Sequence, residues 1–175
     1  MLSAPIVITP PTGEVLALDA VKTFLRVDGP DLDVEIEGYV AAAIVEVEQL
    51  TGVRLAPQVV EVRADRFEDL EHLHVGPATG VASITYRDFA GVVLTVDPDD
   101  YELVAADLSA GIFASFALHW PDAPHTGGAI KVQLEVGYAE VPADLRLALL
   151  LSIRAKFDGT PCDLFSLTVN RQIHA

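Results

Sequence analysis

The hydrophobic period of this sequence changes twice, and that change constrains the fold more than any other feature. Up to Gly52 the apolar residues recur at spacings of three and four, the period of an amphipathic helix. After Pro57 apolar and polar residues alternate, the period of a half-buried strand. The helical period returns at Pro142, a residue suited to a first helical turn. This order predicts an α+β fold: a small bundle of N- and C-terminal helices with an inserted antiparallel β-rich lobe and extended termini.

Two helices are expected before the lobe. The first is a short amphipathic helix within residues 16–27, and the second starts at an N-cap formed by Asp31 or Asp33 and ends at Gly52. An alanine run at 41–43, with Ala42 at its centre, allows another helix to approach the second one closely. Ala42 is therefore a candidate for a subunit interface.

The helix that starts at Pro142 is expected to be the central one. It is apolar on more than one face, because three leucines lie beside its main stripe: Leu147, Leu150 and Leu151. A helix of this kind is buried by the other helices and by a neighbouring subunit. These leucines are the remaining subunit-interface candidates.

Short alternating segments separated by Gly, Pro and Asp turns fill the lobe and favour an antiparallel sheet or a small sandwich. The predicted strands cover residues 60–64, 84–86, 92–96, 101–105, 112–116 and 130–136. The segment from Ser109 to Gly111 is predicted as the turn before the fifth of them.

These boundaries divide the chain into three parts. Residues 1–15 form a proline-rich extended arm, and residues 16–158 form one domain whose helical parts, 16–52 and 142–158, enclose the lobe at 53–141. Residues 159–175 form a tail in which apolar and polar side chains alternate, the pattern of a strand. Because a single strand is not stable alone, it must join the subunit's own sheet or an exposed sheet edge on a partner, and we expect the second; the alternative is a frayed terminus without a function. The residues predicted to bind there are Phe165, Leu167, Val169, Arg171 and Ile173.

Composition narrows the classes of function. The chain has 26 acidic and 11 basic side chains and a net charge of −15, without a basic run, so a surface that grips a phosphate backbone is not expected. Its single cysteine, Cys162, cannot form an internal disulfide, which indicates assembly in a reducing compartment. The N-terminus lacks the basic region of a signal peptide, and the apolar stretch at 145–155 is too short to span a bilayer. The sequence therefore predicts a soluble protein.

Two pairs of histidines are the strongest candidates in the sequence for a metal or catalytic site. His72 and His74 would face one side of a strand, but no third and fourth metal ligand is evident, and surface polarity explains them better. His119 and His125 lie in a proline-rich loop for which Trp120 is the expected packing anchor. Nucleophile-elbow, phosphate-loop and Cys-x-x-Cys motifs are absent from the sequence. We therefore expect no enzymatic activity and no cofactor or metal.

An ordered set of segments resembles a known family. It comprises Leu18-Asp-Ala-Val-Lys22 running into Phe24-Leu-Arg-Val-Asp28, the long helix ending Glu48-Gln-Leu-Thr-Gly52, the segment Ser83-Ile-Thr-Tyr86, the turn Asp97-Pro-Asp-Asp-Tyr101, and Val136-Gly-Tyr138 followed by Val141-Pro142 and a leucine-rich helix. Over roughly residues 15 to 158 this set resembles the head-to-tail connector, or adaptor, proteins of long-tailed bacteriophages and gene transfer agents.

The resemblance implies a structural role. Members of that family form a ring, usually dodecameric, that docks beneath the portal protein and extends the DNA channel toward the stopper or tail. It implies a homo-oligomeric ring, contact with the portal and with a stopper or tail-completion protein, and DNA that passes without sequence-specific binding. It also implies that the tail strand binds the portal, and a place in the neck of a virion or phage-like particle that assembles in the bacterial cytoplasm. A membrane has no part in this role.

Two alternatives stay open from the sequence. One is another neck component, such as a stopper or tail-completion protein. The other is a soluble acidic domain that binds a ligand or carries out hydrolysis in a pocket formed by the loop from His119 to His125.

Overall fold

The structure, a computed structural model, describes residues 1–106, 108–116 and 118–173. Its helices are α1 (Leu18–Leu25), α2 (Asp33–Thr51), α3 (Ala143–Asp158) and α4 (Leu164–Thr168), and its strands are β1 (Ile6–Thr9), β2 (Gln58–Ala64), β3 (Ala78–Arg87), β4 (Val93–Thr95), β5 (Tyr101–Ala106), β6 (Ser109–Ala114) and β7 (Ile130–Val136). Short 3-10 helices cover Phe67–Glu71, Pro98–Asp100 and Val169–Arg171.

The long N-terminal helix begins and ends where the sequence predicts. α2 starts at Asp33 and stops at Gly52, whose left-handed φ of 73° lets its N–H return to the carbonyl of Glu48 at 3.0 Å. α3 follows Pro142 and ends at Gly159, which is also left-handed. The expected glycine cap at the end of α2 is confirmed, but the expected aspartate cap at its start was wrong: the N-cap position is Leu32, which makes no side-chain capping hydrogen bond, and Asp33 is already the first helical residue.

Five strands form an antiparallel sheet in the order β1-β2-β7-β3-β4, and β5 and β6 form a separate two-stranded ribbon. Along β2 and β7 buried and less buried positions alternate, so that Val62 lies opposite Val132 on the face that is packed. Between residues 81 and 105 the described helix is only the 3-10 turn at Pro98–Asp100. The predicted α+β class with an antiparallel β-rich middle is confirmed.

The ribbon starts earlier than predicted. Gly111 lies inside β6 and not in a turn, because the strand passes so close to the 3-10 helix at Phe67–Glu71 that a Cβ at Gly111 would lie 2.2 Å from the carbonyl oxygen of Glu71. A glycine within a strand often marks such a close backbone approach. The interpretation of 109–111 as a turn was wrong for that reason.

Two apolar clusters hold the molecule together. One joins the sheet to the ribbon and is centred on Ile84, Val132 and Leu134. The other joins α1, α2 and α3 and is centred on Ile36, Leu149 and Ile153. The predicted packing of the early helices against the helix after Pro142 is therefore observed. Among the described residues, no helix combines the length and apolarity that crossing a bilayer requires.

The proline-rich arm is extended, as predicted, but it is docked. β1 pairs with β2 in antiparallel fashion, Ile6 opposite Glu61, and forms one edge of the five-stranded sheet. Pro5 and Pro10 flank the strand and limit its ladder, because proline has no N–H to donate.

The tail is where the predicted secondary structure was wrong. Residues 164–168 form the helix α4, and the 3-10 helix Val169–Arg171 follows directly. The side chain of Asp163 accepts a hydrogen bond from the N–H of Ser166 at 3.2 Å and thereby caps the helix. Leu164 and Thr168, four residues apart, face the protein, and Thr168 is fully buried. The packing of Leu164 and Thr168 therefore favours a helix, although the odd-numbered apolar residues of the tail alternate as in a strand.

Candidate interaction surfaces

The four described histidines lie in two separate loops. His72 and His74 lie exposed in a loop after the 3-10 helix at Phe67–Glu71, not on a strand. Within the described part of the chain, no three His, Cys, Asp or Glu side chains are grouped so that they could hold a metal ion.

The loop that carries His119 and His125 is organised by aromatic packing. Trp120 stacks on Phe67 with ring centroids 4.7 Å apart and planes 8° from parallel, as expected of a packing anchor. Nearby, Asp65 accepts the N–H of Gly128 at 2.9 Å, and this bond lowers the pKa of the carboxyl below its usual value. Between them lies a depression of about 130 Å³, lined by Asp65, Trp120 and His125 among others. Its size is well below that of ordinary small-molecule sites.

The predicted subunit-interface residues lie at or near the surface. Leu147 on α3 is 51% exposed, and Leu150 and Leu151 are half-buried, Leu150 by packing against the helical cluster. Ala42 on α2 is exposed. It lies one turn before Glu46, which reaches α3 through an ion pair with Lys156 at 2.7 Å.

The predicted partner-binding residues of the tail divide into two groups. Arg171 and Ile173 are used within the subunit: the Arg171 guanidinium pairs with Asp144 of α3 at 2.7 Å, and the N–H of Ile173 donates to the carbonyl of Thr51 at 2.7 Å. The hydrogen bond from Arg171 holds the pKa of the Asp144 carboxyl below its usual range. These contacts dock the tail on α2 and α3.

The other three tail residues point away from the protein. Phe165 is 58% exposed, and Leu167 and Val169 are exposed as well. They form an apolar surface on a segment that is held in place by its opposite side. A docked helix of this kind presents side chains to a partner without needing main-chain pairing.

An apolar groove lies between the N-terminal arm and α2. It has a volume of about 480 Å³, and its apolar lining comes from Val7 of β1, Val15 and Leu16 after it, and Val40, Ala41 and Val45 of α2. Four charged residues also line it: Glu14 and Glu37 are exposed and form the rim, whereas Glu48 and Arg54 are half-buried and pair with each other at 2.9 Å. Sequence reasoning missed this groove, because its walls come from segments that are distant in the chain.

A second apolar feature lies at the turn between β3 and β4. Phe89 is 76% exposed, and Val92, Val93 and Leu94 beside it are exposed too. The carboxylate of Asp88 accepts the N–H groups of Ala90 and Val92, each at 2.8 Å, which fixes the shape of the turn. We call residues 88–94 the β3–β4 hairpin tip. Its signal in the sequence was a phenylalanine at a position where turns favour small polar residues.

Comparison with known proteins identifies the family. A family model described as head completion protein matches residues 14–158, most of the chain. The chain belongs to the head completion protein family. It has a structural role in completing the head of a tailed-phage-like particle, and the predicted resemblance to head-to-tail connectors is confirmed. No curated protein matches the chain.

Solved structures show that this head completion protein shares its fold with neck proteins. A chain from the neck of an empty gene transfer agent particle, computed with C6 symmetry, is 21% identical, with a TM-score of 0.78 and coverage of 99% of this chain and 97% of that one. A chain from the virion of a native gene transfer agent gives the same values. A chain from the neck of the native particle, computed with C12 symmetry, is 20% identical with a TM-score of 0.67, covering 96% of both.

Proposed function

We propose that this head completion protein is a connector subunit that forms a ring between the portal and the stopper or tail and extends the DNA channel. The observation that carries the proposal is the shared fold with gene transfer agent neck chains over 99% of its length. Those necks were computed with C6 and C12 symmetry, which supports a ring and makes a twelve-subunit ring the expected form. The role is non-enzymatic and requires no cofactor.

The ring is held by heterologous contacts, in which one surface of a subunit meets a different surface of the next. Leu147 and Leu151 supply one such surface, because α3 leaves them outside the helical cluster, and Leu150 adds its exposed part although it also packs against that cluster. Ala42 supplies a position where a helix of the neighbour approaches closely. Burial of these side chains on assembly favours the ring through the hydrophobic effect.

The tail is the proposed portal-binding segment. Phe165, Leu167 and Val169 are exposed on it, and aromatic side chains are frequent energetic centres of interfaces. Arg171 and Ile173 contribute by holding the tail in position on the subunit. The contact is thus formed by a docked helix and its flanking turn.

The net charge of −15 fits passage of DNA without binding. An acidic wall repels the phosphate backbone, whereas nucleic-acid grooves need clustered cations. Within the part of the chain that the structure describes, seven of the basic side chains form ion pairs. The stopper or tail-completion protein then binds the opposite end of the ring, and the particle assembles in the bacterial cytoplasm.

Deletion of the gene in the producing bacterium tests the role itself. We expect heads and tails to accumulate separately in electron micrographs, and expression of the wild-type chain to restore joined particles. Normal joined particles in the deletion strain would refute the proposal.

Surface variants test the two interfaces. Leu147→Glu is expected to reduce ring formation in native mass spectrometry, whereas Val34→Glu, at a position 83% exposed, is a matched control that should not. Phe165→Asp is expected to weaken binding to purified portal by about 2 kcal/mol, roughly thirty-fold, and Asn170→Asp is its charge-matched control. Equal behaviour of a variant and its control would remove that residue from the interface.

A further inference from the structure

The β3–β4 hairpin tip is a rigid apolar protrusion at one edge of the sheet. β4 is the last strand in the order β1-β2-β7-β3-β4, and all of its residues are exposed. Gly91 adopts a left-handed φ of 82°, and the Asp88 carboxylate ties the turn together from inside. Phe89 is therefore presented to solvent on a structured turn.

The apolar groove lies at the opposite edge. Its lining includes Val7 of β1, the first strand in the same order, together with the outer side of α2. Four interstrand steps of about 4.8 Å each separate the two edge strands, a distance of roughly 19 Å across the sheet. One subunit thus carries a protrusion and a recess of similar chemistry on different sides, which is what a heterologous, ring-forming contact requires.

Charge is complementary between these two features. Arg87 at the base of the hairpin is exposed and forms no ion pair within the described residues, unlike most basic side chains of this acidic protein. Glu14 and Glu37 on the groove rim are exposed and likewise without an ion pair in the described part of the chain. A neighbouring guanidinium would neutralise part of this rim.

We propose that the β3–β4 hairpin tip of one subunit docks in the groove of the next copy of this chain, with Phe89 against the apolar lining and Arg87 at the acidic rim. The contact rests on the proposed ring. It is formed by side chains, because Pro5 and Pro10 restrict main-chain pairing along β1. A buried aromatic side chain removes about 150–250 Å² from water, which makes Phe89 the anchor of the contact.

Cysteine cross-linking tests the contact directly. In a Cys162→Ser background, the double variant Ala90→Cys with Ala41→Cys keeps Phe89 and places one thiol on the tip and one in the groove. Disulfides form only when Cα atoms approach to about 7 Å or less. Because each subunit has both thiols, oxidation of a ring should give a ladder of dimers, trimers and larger covalent species in a denaturing gel.

The controls separate this contact from the ring itself. A single-cysteine variant has one thiol per chain, so its covalent products cannot be larger than a dimer. The matched pair Ala90→Cys with Val34→Cys, also on α2, should give no ladder. The purified full-length chain is used at rising concentration, alone and with portal rings of the same particle, and rings are counted by native mass spectrometry. If rings form without a ladder, the proposed hairpin contact is wrong and the proposed ring is still supported. If no rings form under any condition, both proposals are wrong.

Charge reversal gives an independent readout. Arg87→Glu is expected to raise the concentration for half-maximal assembly roughly tenfold or more, and adding Glu37→Arg should restore much of the loss. If the double variant assembles no better than Arg87→Glu alone, Arg87 and Glu37 do not meet and the proposed docking is wrong.

Discussion

Truncating Ile173 should undock the tail without unfolding the protein. The Ile173 side chain packs beside two glycines: a Cβ on Gly52 would lie 3.4 Å from its Cβ, and one on Gly76 would lie 3.2 Å from its Cδ1. Ile173→Ala removes three carbons, worth about 0.8 kcal/mol each when fully buried. Because the side chain is only half-buried, the loss is about 1 kcal/mol, or roughly a five-fold rise in the undocked population.

Hydrogen exchange measures this change. The N–H of Ile173, bonded to the carbonyl of Thr51 at 2.7 Å, and the amides of residues 164–171 should exchange about five-fold faster in Ile173→Ala, while those of β7 keep their rate. Val169→Ala is the matched control, since Val169 is exposed and its truncation should leave exchange unchanged. Equal exchange in the two variants, or faster exchange throughout the sheet, would refute the view of the tail as a separately docked segment.

Two further predictions follow from charge and backbone geometry. Arg171 lowers the pKa of Asp144, so their ion pair stabilises tail docking at pH values above the usual carboxyl pKa of 3.8, and this stabilisation is lost as the pH falls through the lower folded-state pKa. Asp144→Asn should therefore speed hydrogen exchange of the tail about two-fold at pH 7, and the difference from wild type should vanish in acid. A difference that stays constant at all pH values would contradict this prediction. Gly137 has a φ of +109°, and a Cβ there would lie 2.2 Å from the carbonyl oxygen of Ala56, so Gly137→Ala should lower the free energy of unfolding by roughly 3 kcal/mol in urea titrations. Gly38→Ala, in open space on α2, should instead raise it by about 0.5–1 kcal/mol, and a Gly137→Ala variant as stable as the wild type would show that the strain argument is wrong.

The parts of the fold that were predictable have their determinants close together in sequence. The helix ending at Gly52 needs only an apolar stripe and a residue that tolerates a left-handed φ, and both can be read from neighbouring positions. The alternation of residues 130–136 likewise depends on side chains that are two apart, and β7 lies in the middle of the sheet as that pattern requires.

The tail shows why a short pattern misleads. Over ten residues, a period of two and a period of 3.6 share several positions, so the odd-numbered apolar residues were compatible with either. Asp163 as a cap, with Leu164 and Thr168 one turn apart, decides for a helix only because α2 and α3 provide a surface for them to pack on. That surface forms only when α2 and α3 pack together, so it cannot be read from the sequence of the tail itself.

The groove was unpredictable for a related reason. Val7 and Val45 become neighbours around one recess only after β1 has paired with β2 and α2 has packed beside them. The individual residues look like ordinary core positions in the sequence. What distinguishes them is that no described part of the subunit covers them, which is a property of the folded chain.

The hairpin tip and the tail lie in different parts of the subunit, and this has a consequence for interpreting variants at these two sites. The hairpin tip extends from β3, whose Ile84 is in the cluster that joins sheet and ribbon, whereas Leu164 and Ile173 anchor the tail on the helical cluster. Changes at sites that share no packing partners usually add independently. Under the two proposals, a loss of self-assembly caused at Arg87 and a loss of portal binding caused at Phe165 therefore report on separate surfaces, and we expect Phe165→Asp to form rings that do not bind the portal.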